Sequence, residues 1–162
     1  MDGKLRNMTG MYLMHEDKLL FLYRKGSRVI GDSYVGAAGG HFEKDELNDA
    51  KACVLRELWE ETGLSEGDLR DMSMRYVTLR LKNGEIRQNY YFFAYLDDPD
   101  KVNTSDEGTL EWVSIDRAME LNMPVSAKYM IEHFIKTGRH DKNLYGGITT
   151  ETGIEFHVLR EF

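Results

Sequence analysis

A mixed α/β domain is the architecture this sequence predicts, on three observations. Short runs dense in apolar residues, at positions 11–14, 19–23, 74–81 and 86–96, read as strands. Two further segments, around Leu55, Leu58 and Thr62 and over Val125–Lys136, repeat apolar residues at helical spacing. Turn signals sit between the strands, at His15-Glu16-Asp17-Lys18 and at Asn83-Gly84. Strands, hairpins and helices interleaved in this way support the α/β class without fixing the strand order.

At 162 residues the chain is one domain's worth, residues 1–162, long enough to bury a core. Its 41% hydrophobic and 30% charged content is that of an ordinary soluble globular protein. No apolar run is long enough to span a bilayer and no charged-then-apolar leader follows Met1, so a cytoplasmic location with no membrane partner is expected. The single cysteine, Cys53, fits a reducing compartment and reads as packing rather than as a nucleophile, since no base stands beside it in sequence. With 21 basic against 28 acidic residues the net charge is −7. That balance disfavours a nucleic-acid polymer as partner, because such a track shows a basic stripe.

In chain order, Met11-Tyr12-Leu13-Met14 and Leu19-Leu20-Phe21-Leu22-Tyr23 flank a polar turn as an opening hairpin. Arg24, Lys25 and Arg28 follow, and read equally as loop solubilisers or as cations facing a ligand. Tyr34, Val35, Ala37 and Ala38 form a short apolar approach to Gly39-Gly40. After a polar stretch over 65–72 comes the strand pair across Asn83-Gly84. Its second member carries Tyr90-Tyr91-Phe92-Phe93-Ala94-Tyr95, the aromatic density of a central strand. Arg80, Arg87 and Asn89 on these strands read either as ligand contacts or, more commonly for such residues, as the wet face of a sheet. An acidic loop over 97–108 leads into Leu110-Glu111-Trp112-Val113-Ser114-Ile115, a strand whose Trp112 is expected in the core rather than stacked on a base, and a helix from about Asp116. Pro124 breaks the chain before the helix Val125–Lys136, striped by Met130, Ile131, Phe134 and Ile135. Residues 143–148 and 154–159 read as a closing hairpin. No repeat or low-complexity tract interrupts this order.

The chemistry concentrates in residues 39–64, GGHFEKDELNDAKACVLRELWEETGL. Glu57, Glu60 and Glu61 stand at i, i+3 and i+4 of the expected helix, which places all three carboxylates on one side of it. Leu55, Leu58, Trp59 and Thr62 give the other side a face to bury. Taken alone, the acidic side fits a solvated face or a cation site. Two half-buried carboxylates about 6 Å apart repel by roughly 3 kcal/mol at an effective dielectric of about 20, so a buried cluster needs a cation. Hard ions such as magnesium take carboxylate oxygens together with a bound phosphate. Gly39 and Gly40 indicate a backbone that turns tightly and offers a carbonyl or amide to a ligand.

The stretch resembles the signature of the Nudix hydrolases, G-x5-E-x7-R-E-U-x-E-E-x-G-U with U aliphatic. Gly40, Glu46, Arg56-Glu57, Leu58, Glu60-Glu61, Gly63 and Leu64 occupy its fixed positions, so the box spans residues 40–64. One departure stands out: nine residues rather than seven separate Glu46 from Arg56. The extra pair is expected near Leu47-Asn48-Asp49, with Asn48 or Asp45 as the helix N-cap, and it bears on whether Glu46 still reaches Arg56. The resemblance runs from about Met8 to Met119 and leaves the tail from Leu144 outside. It implies an α/β/α sandwich, a mixed sheet between helices.

It also implies hydrolysis of a nucleoside diphosphate linked to another moiety, dependent on Mg²⁺ with Mn²⁺ as an alternative. Glu57, Glu60 and Glu61 with the Gly40 carbonyl would bind the metal, and Arg56 would orient the carboxylates. The general base is expected among the box glutamates, Glu107 and Glu111, the last two lying where the family places a further carboxylate. Arg24 resembles the basic residue near the phosphates, and Arg28, Gly39 and Gly40 complete the expected substrate contacts. The compact size is similar to the branch that cleans nucleoside triphosphates, for which oxidised guanine nucleotides such as 8-oxo-dGTP yield the monophosphate and pyrophosphate. ADP-ribose and dinucleoside polyphosphates suit the same mechanism. A nucleotide-binding regulatory sensor and an interaction module with an acidic helix are the non-enzymatic readings, and the intact Glu57, Glu60 and Glu61 argue against the sensor. A homodimer is compatible with the resemblance.

Overall fold

The computed structural model describes residues 2–26, 31–103 and 106–162. Its strands are β1 (Lys4–His15), β2 (Lys18–Arg24), β3 (Ser33–Gly36), β4 (Arg70–Lys82), β5 (Glu85–Tyr95), β6 (Thr109–Ser114), β7 (Tyr145–Thr149) and β8 (Ile154–Val158). The helices are α1 (Ala50–Thr62), α2 (Ile115–Ala118) and α3 (Val125–Lys136). One mixed sheet runs β3-β2-β1-β5-β4-β7-β8, with β6 paired to β2. β1 and β5 are parallel, as are β4 and β7, and the other pairs are antiparallel. The hairpins fall where the turn residues place them. Asn83 and Gly84 both take positive φ, 55° and 73°, which the tight turn between β4 and β5 requires and which this residue pair tolerates.

Alternation along the strands divides the core into two layers. Tyr12, Tyr91 and Phe93 face α2 and α3, meeting Ile115, Ala118, Met130, Ile131 and Phe134. Met11, Leu13, Phe92 and Ala94 face α1, meeting Val54 and Leu58. The result is the expected sheet between helices. β5 is central, as its aromatic density predicts, and its Phe93 stacks on Phe134 of α3 with ring centroids 3.9 Å apart. The closing hairpin extends the sheet from β4. Among the described residues no helix is long and apolar enough to cross a membrane.

Three local expectations are corrected. The N-cap of α1 is Asp49, not Asn48 or Asp45: its carboxylate accepts the Ala52 N–H at 2.9 Å. The extra residues are absorbed before it, in the turn closed by Asp49 N–H to Glu46 O. The buried stripe of α1 is Cys53, Val54, Leu58, Glu61 and Thr62. Trp59 lies a further 100° round the helix from Leu58 and is 63% exposed, while Glu61 turns inward. Trp112 is half-buried at the sheet margin, where its Nε1 donates to Pro99 O at 3.3 Å. Asp49→Ala is expected to cost about 1 kcal/mol of stability by urea denaturation, the usual loss for a carboxylate N-cap.

Candidate active site

The box folds back on itself around Arg56. Its Nε and Nη2 donate to the two oxygens of Glu46 at 2.6 and 2.9 Å, so Glu46 reaches Arg56 despite the two extra residues. The turn from Glu46 to Asp49 takes up the added length and keeps Glu46 within reach of Arg56. The same guanidinium donates to Glu57 at 2.8 Å, to Glu60 at 3.3 Å and to the His41 carbonyl at 3.1 Å. Hydrogen bonds from Arg56 hold the Glu46 carboxyl at about 2, well below its ordinary value. Arg56 is thus the strut on which the acidic side of α1 is aimed.

Two glycines shape the site around α1. At Gly40 a Cβ would lie 2.2 Å from Glu57 Oε1, so only glycine lets the Glu57 carboxylate lie against the loop. Gly63 closes α1 with φ 72° and its N–H on Trp59 O. Between them, the Glu61 carboxyl is buried, its side chain 5% exposed. It accepts the Gly39 N–H at 2.9 Å and faces Arg24 Nη2 at 3.4 Å. Arg24 also pairs with Glu107. Burial first, and then the neighbouring Glu107, push the Glu61 carboxyl up to about 8. Two carboxyls and one guanidinium therefore share a pocket beside Gly39, with Glu57 across the loop.

Arg24 is at the carboxylates rather than in a solubilising loop. Glu107 meets Glu61, whereas Glu111 points to Tyr34, accepting its hydroxyl at 3.3 Å. The expectation for Arg28 lies outside the described residues. Cys53 is buried against Thr9 Oγ1 at 3.3 Å, and burial pushes its thiol up to about 11, as befits packing. The Gly40 carbonyl accepts the Thr9 N–H at 2.8 Å, which occupies one of its two lone pairs. Thr9 and His41 were silent in the sequence, because only the pairing of the box loop with β1 brings them to it.

The sequence matches the NUDIX domain over residues 4–134, most of its length. The chain belongs to the Nudix family. It is a Nudix pyrophosphohydrolase, acting on a nucleoside diphosphate linked to another moiety. Three solved structures resemble this Nudix chain. The MutT protein from Bacillus halodurans shares 22% identity at a TM-score of 0.66, covering 94% of this chain and 97% of that one. The C. elegans Ap4A hydrolase, in a binary complex, shares 16% at 0.63, covering 84% and 99%. The third is a bifunctional NMN adenylyltransferase/ADP ribose pyrophosphatase from Francisella tularensis, complexed with AMP and a Mn ion. It shares 17% at 0.63, covering 83% of this chain and 42% of its own. At these identities the likeness establishes the fold. No curated protein matches the sequence.

Nudix hydrolases use divalent metals, and the donor set here fits such an ion. Glu57, Glu60, Glu61 and Glu107 offer only hard oxygens, the donors that Mg²⁺ and Mn²⁺ take. The buried Glu61 facing Glu107 across a single guanidinium is an arrangement that added positive charge relieves. Among the described residues no three acidic, histidine or cysteine side chains already converge as a metal shell. Arg56 and Arg24 hold the carboxylates instead.

Proposed function

We propose that this Nudix hydrolase, with Mg²⁺ or alternatively Mn²⁺, cleaves nucleoside triphosphates to the monophosphate and pyrophosphate, with oxidised purine nucleotides such as 8-oxo-dGTP the first substrates to test. The observation that carries the reading is the pocket of Glu61, Glu107 and Arg24 beside Gly39, with Glu57 braced by Arg56 across the loop. A pyrophosphate resists attack until its charge is neutralised and a water is held in line and deprotonated. A bound divalent cation supplies neutralisation and a more acidic water. Glu57, Glu60 and Glu61, with the remaining lone pair of the Gly40 carbonyl, would hold it.

The chain's own groups do the rest. Arg56 fixes Glu57 in place through a 2.8 Å hydrogen bond. Arg24 faces the phosphates with a guanidinium whose Nε is buried and unpaired among the described residues. Either Glu61 or Glu107, which face each other beside Arg24, accepts the proton of the attacking water. The match of this chain to a MutT structure over nearly all of both lengths supports the triphosphate reading. ADP-ribose and dinucleoside polyphosphates share the anhydride and stay in the test panel, as activities named for two of the similar structures.

The experiment is product analysis for 8-oxo-dGTP, dGTP, ADP-ribose and diadenosine tetraphosphate, each with Mg²⁺ and with EDTA. Metal-dependent release of a monophosphate is expected, fastest for the triphosphates. Nucleotide binding without turnover of any compound would instead support the sensor reading.

A further inference from the structure

Arg6 on β1, Arg87 on β5 and Arg80 on β4 are direct cross-strand partners. Their side chains leave one sheet face at the strand spacing of about 4.8 Å. The next row on that face is Lys4, Glu85 and Lys82. Five cations thus stand around one carboxylate, Glu85, which is taken by Arg87 Nε at 2.8 Å. Like charges placed directly opposite destabilise a sheet. In a chain of net charge −7, such a row does not follow from composition.

The row reaches the site through Arg80. A cavity of about 180 Å³ crosses this face from Arg24 and Gly39 to Arg80, Asn89 and Ser126. Arg80 Nε is buried without a hydrogen-bond partner among the described residues, as is Arg24 Nε at the opposite end. α3 begins beside Arg80 at Pro124, with no side chain capping its first-turn N–H groups. The turn between β7 and β8, outside the residues matched to the family, walls Arg80 on the far side with Thr150 and Glu151. β1 and β4 are two strand spacings apart, about 10 Å. The cleft therefore presents unspent guanidinium N–H groups at the reacting end and again at a distance. Guanidinium forks match phosphate oxygens, and several in register match a doubly charged group better than a neutral base edge.

We propose that Arg6, Arg87 and Arg80 bind a second phosphate group of the substrate, remote from the anhydride that is cleaved, so that substrates carrying an added phosphate outrank those without one. This rests on the hydrolase reading and narrows it.

The test compares wild-type kcat/KM, with Mg²⁺, for pairs differing by one phosphate: coenzyme A against its dephospho form, and ADP-ribose 2′-phosphate against ADP-ribose. In at least one pair the phosphorylated member is expected to be preferred at least tenfold, through KM. That ratio is expected to fall to about one in the Arg80→Gln/Arg87→Gln double variant. The melting temperature of the variant is expected not to fall, since removing opposed like charges relieves the sheet, whereas arginines with a purely structural role would lower it. Equal wild-type efficiencies in both pairs, with turnover intact, overturn the inference and leave the hydrolase standing. Absence of turnover in both pairs and with nucleoside triphosphates overturns the hydrolase reading; wherever neither pair is turned over, titration with adenosine 3′,5′-bisphosphate and AMP decides the row. Tighter binding of the bisphosphate by tenfold, lost in the variant, supports it, and equal binding overturns it. A single-stranded RNA that displaces the bisphosphate at lower concentration than the bisphosphate itself binds also overturns it, in favour of a polymer.

Discussion

Glu61→Gln is expected to lower kcat by roughly a hundredfold to ten-thousandfold while leaving the melting temperature unchanged or raised. The carboxyl is buried, faces Glu107 and is pushed up to about 8, so its charged form burdens the fold. A glutamine of the same shape still accepts the Gly39 N–H that Glu61 accepts at 2.9 Å, and no longer repels Glu107. Loss of activity with retained stability is the pattern of a group kept for chemistry at the expense of the fold. Glu57→Gln is expected to give a similar fall in kcat with a modest loss of stability, because Glu57 is an ion-pair partner of Arg56 at 2.8 Å. Steady-state kinetics beside thermal melts of both variants checks the two halves. A melting temperature that drops steeply in Glu61→Gln would mean that the carboxyl is structural.

Arg56→Ala is expected to cost about 3 kcal/mol of stability together with most of the activity, because it leaves the buried Glu46 and the adjoining Glu57 without their counter-charge. The Arg56 side chain is 22% exposed, so water recovers part of the loss and holds the figure at the low end. Arg56→Lys restores the charge but not the fork that serves Glu46, Glu57 and the His41 carbonyl at once, and is expected to recover less than half of the stability. The acid dependence has a definite sign. The Glu46 carboxyl is depressed to about 2 in the folded chain, so its contribution is fully present above its unfolded value near pH 4.5 and is lost as pH falls towards 2. The stability gap between wild type and Arg56→Ala, read from urea titrations, should therefore shrink between pH 5 and pH 2. A gap that stays constant over that interval would place the effect elsewhere.

Much of this molecule was legible in the sequence because its signals are local. The Asn83-Gly84 turn, the aromatic run of β5 and the spacing of α3 each follow from residues a few positions apart. The REUxEExGU half of the box set the order of the acidic side chains before any fold was known. What was not legible depends on pairing between distant segments. Whether Glu46 could span nine residues to Arg56 depended on the turn from Glu46 to Asp49. The choice between Glu107 and Glu111 depended on how β6 registers against β2, which sends Glu111 towards Tyr34. The exposure of Trp59 depended on which stripe of α1 met β1, and apolar spacing alone fitted either stripe. The arginine row is a further case: Arg6 lies far from Arg80 and Arg87 in the chain, and only the parallel register of β1 on β5 makes it their neighbour.

The measurement that bears most directly on the account is phosphorus NMR of a nucleoside triphosphate turning over with the wild-type chain and Mg²⁺, followed by addition of EDTA. The account predicts monophosphate and pyrophosphate appearing in equal amounts and stopping when the metal is removed. Release of orthophosphate with a nucleoside diphosphate, or turnover that continues in EDTA, would contradict it.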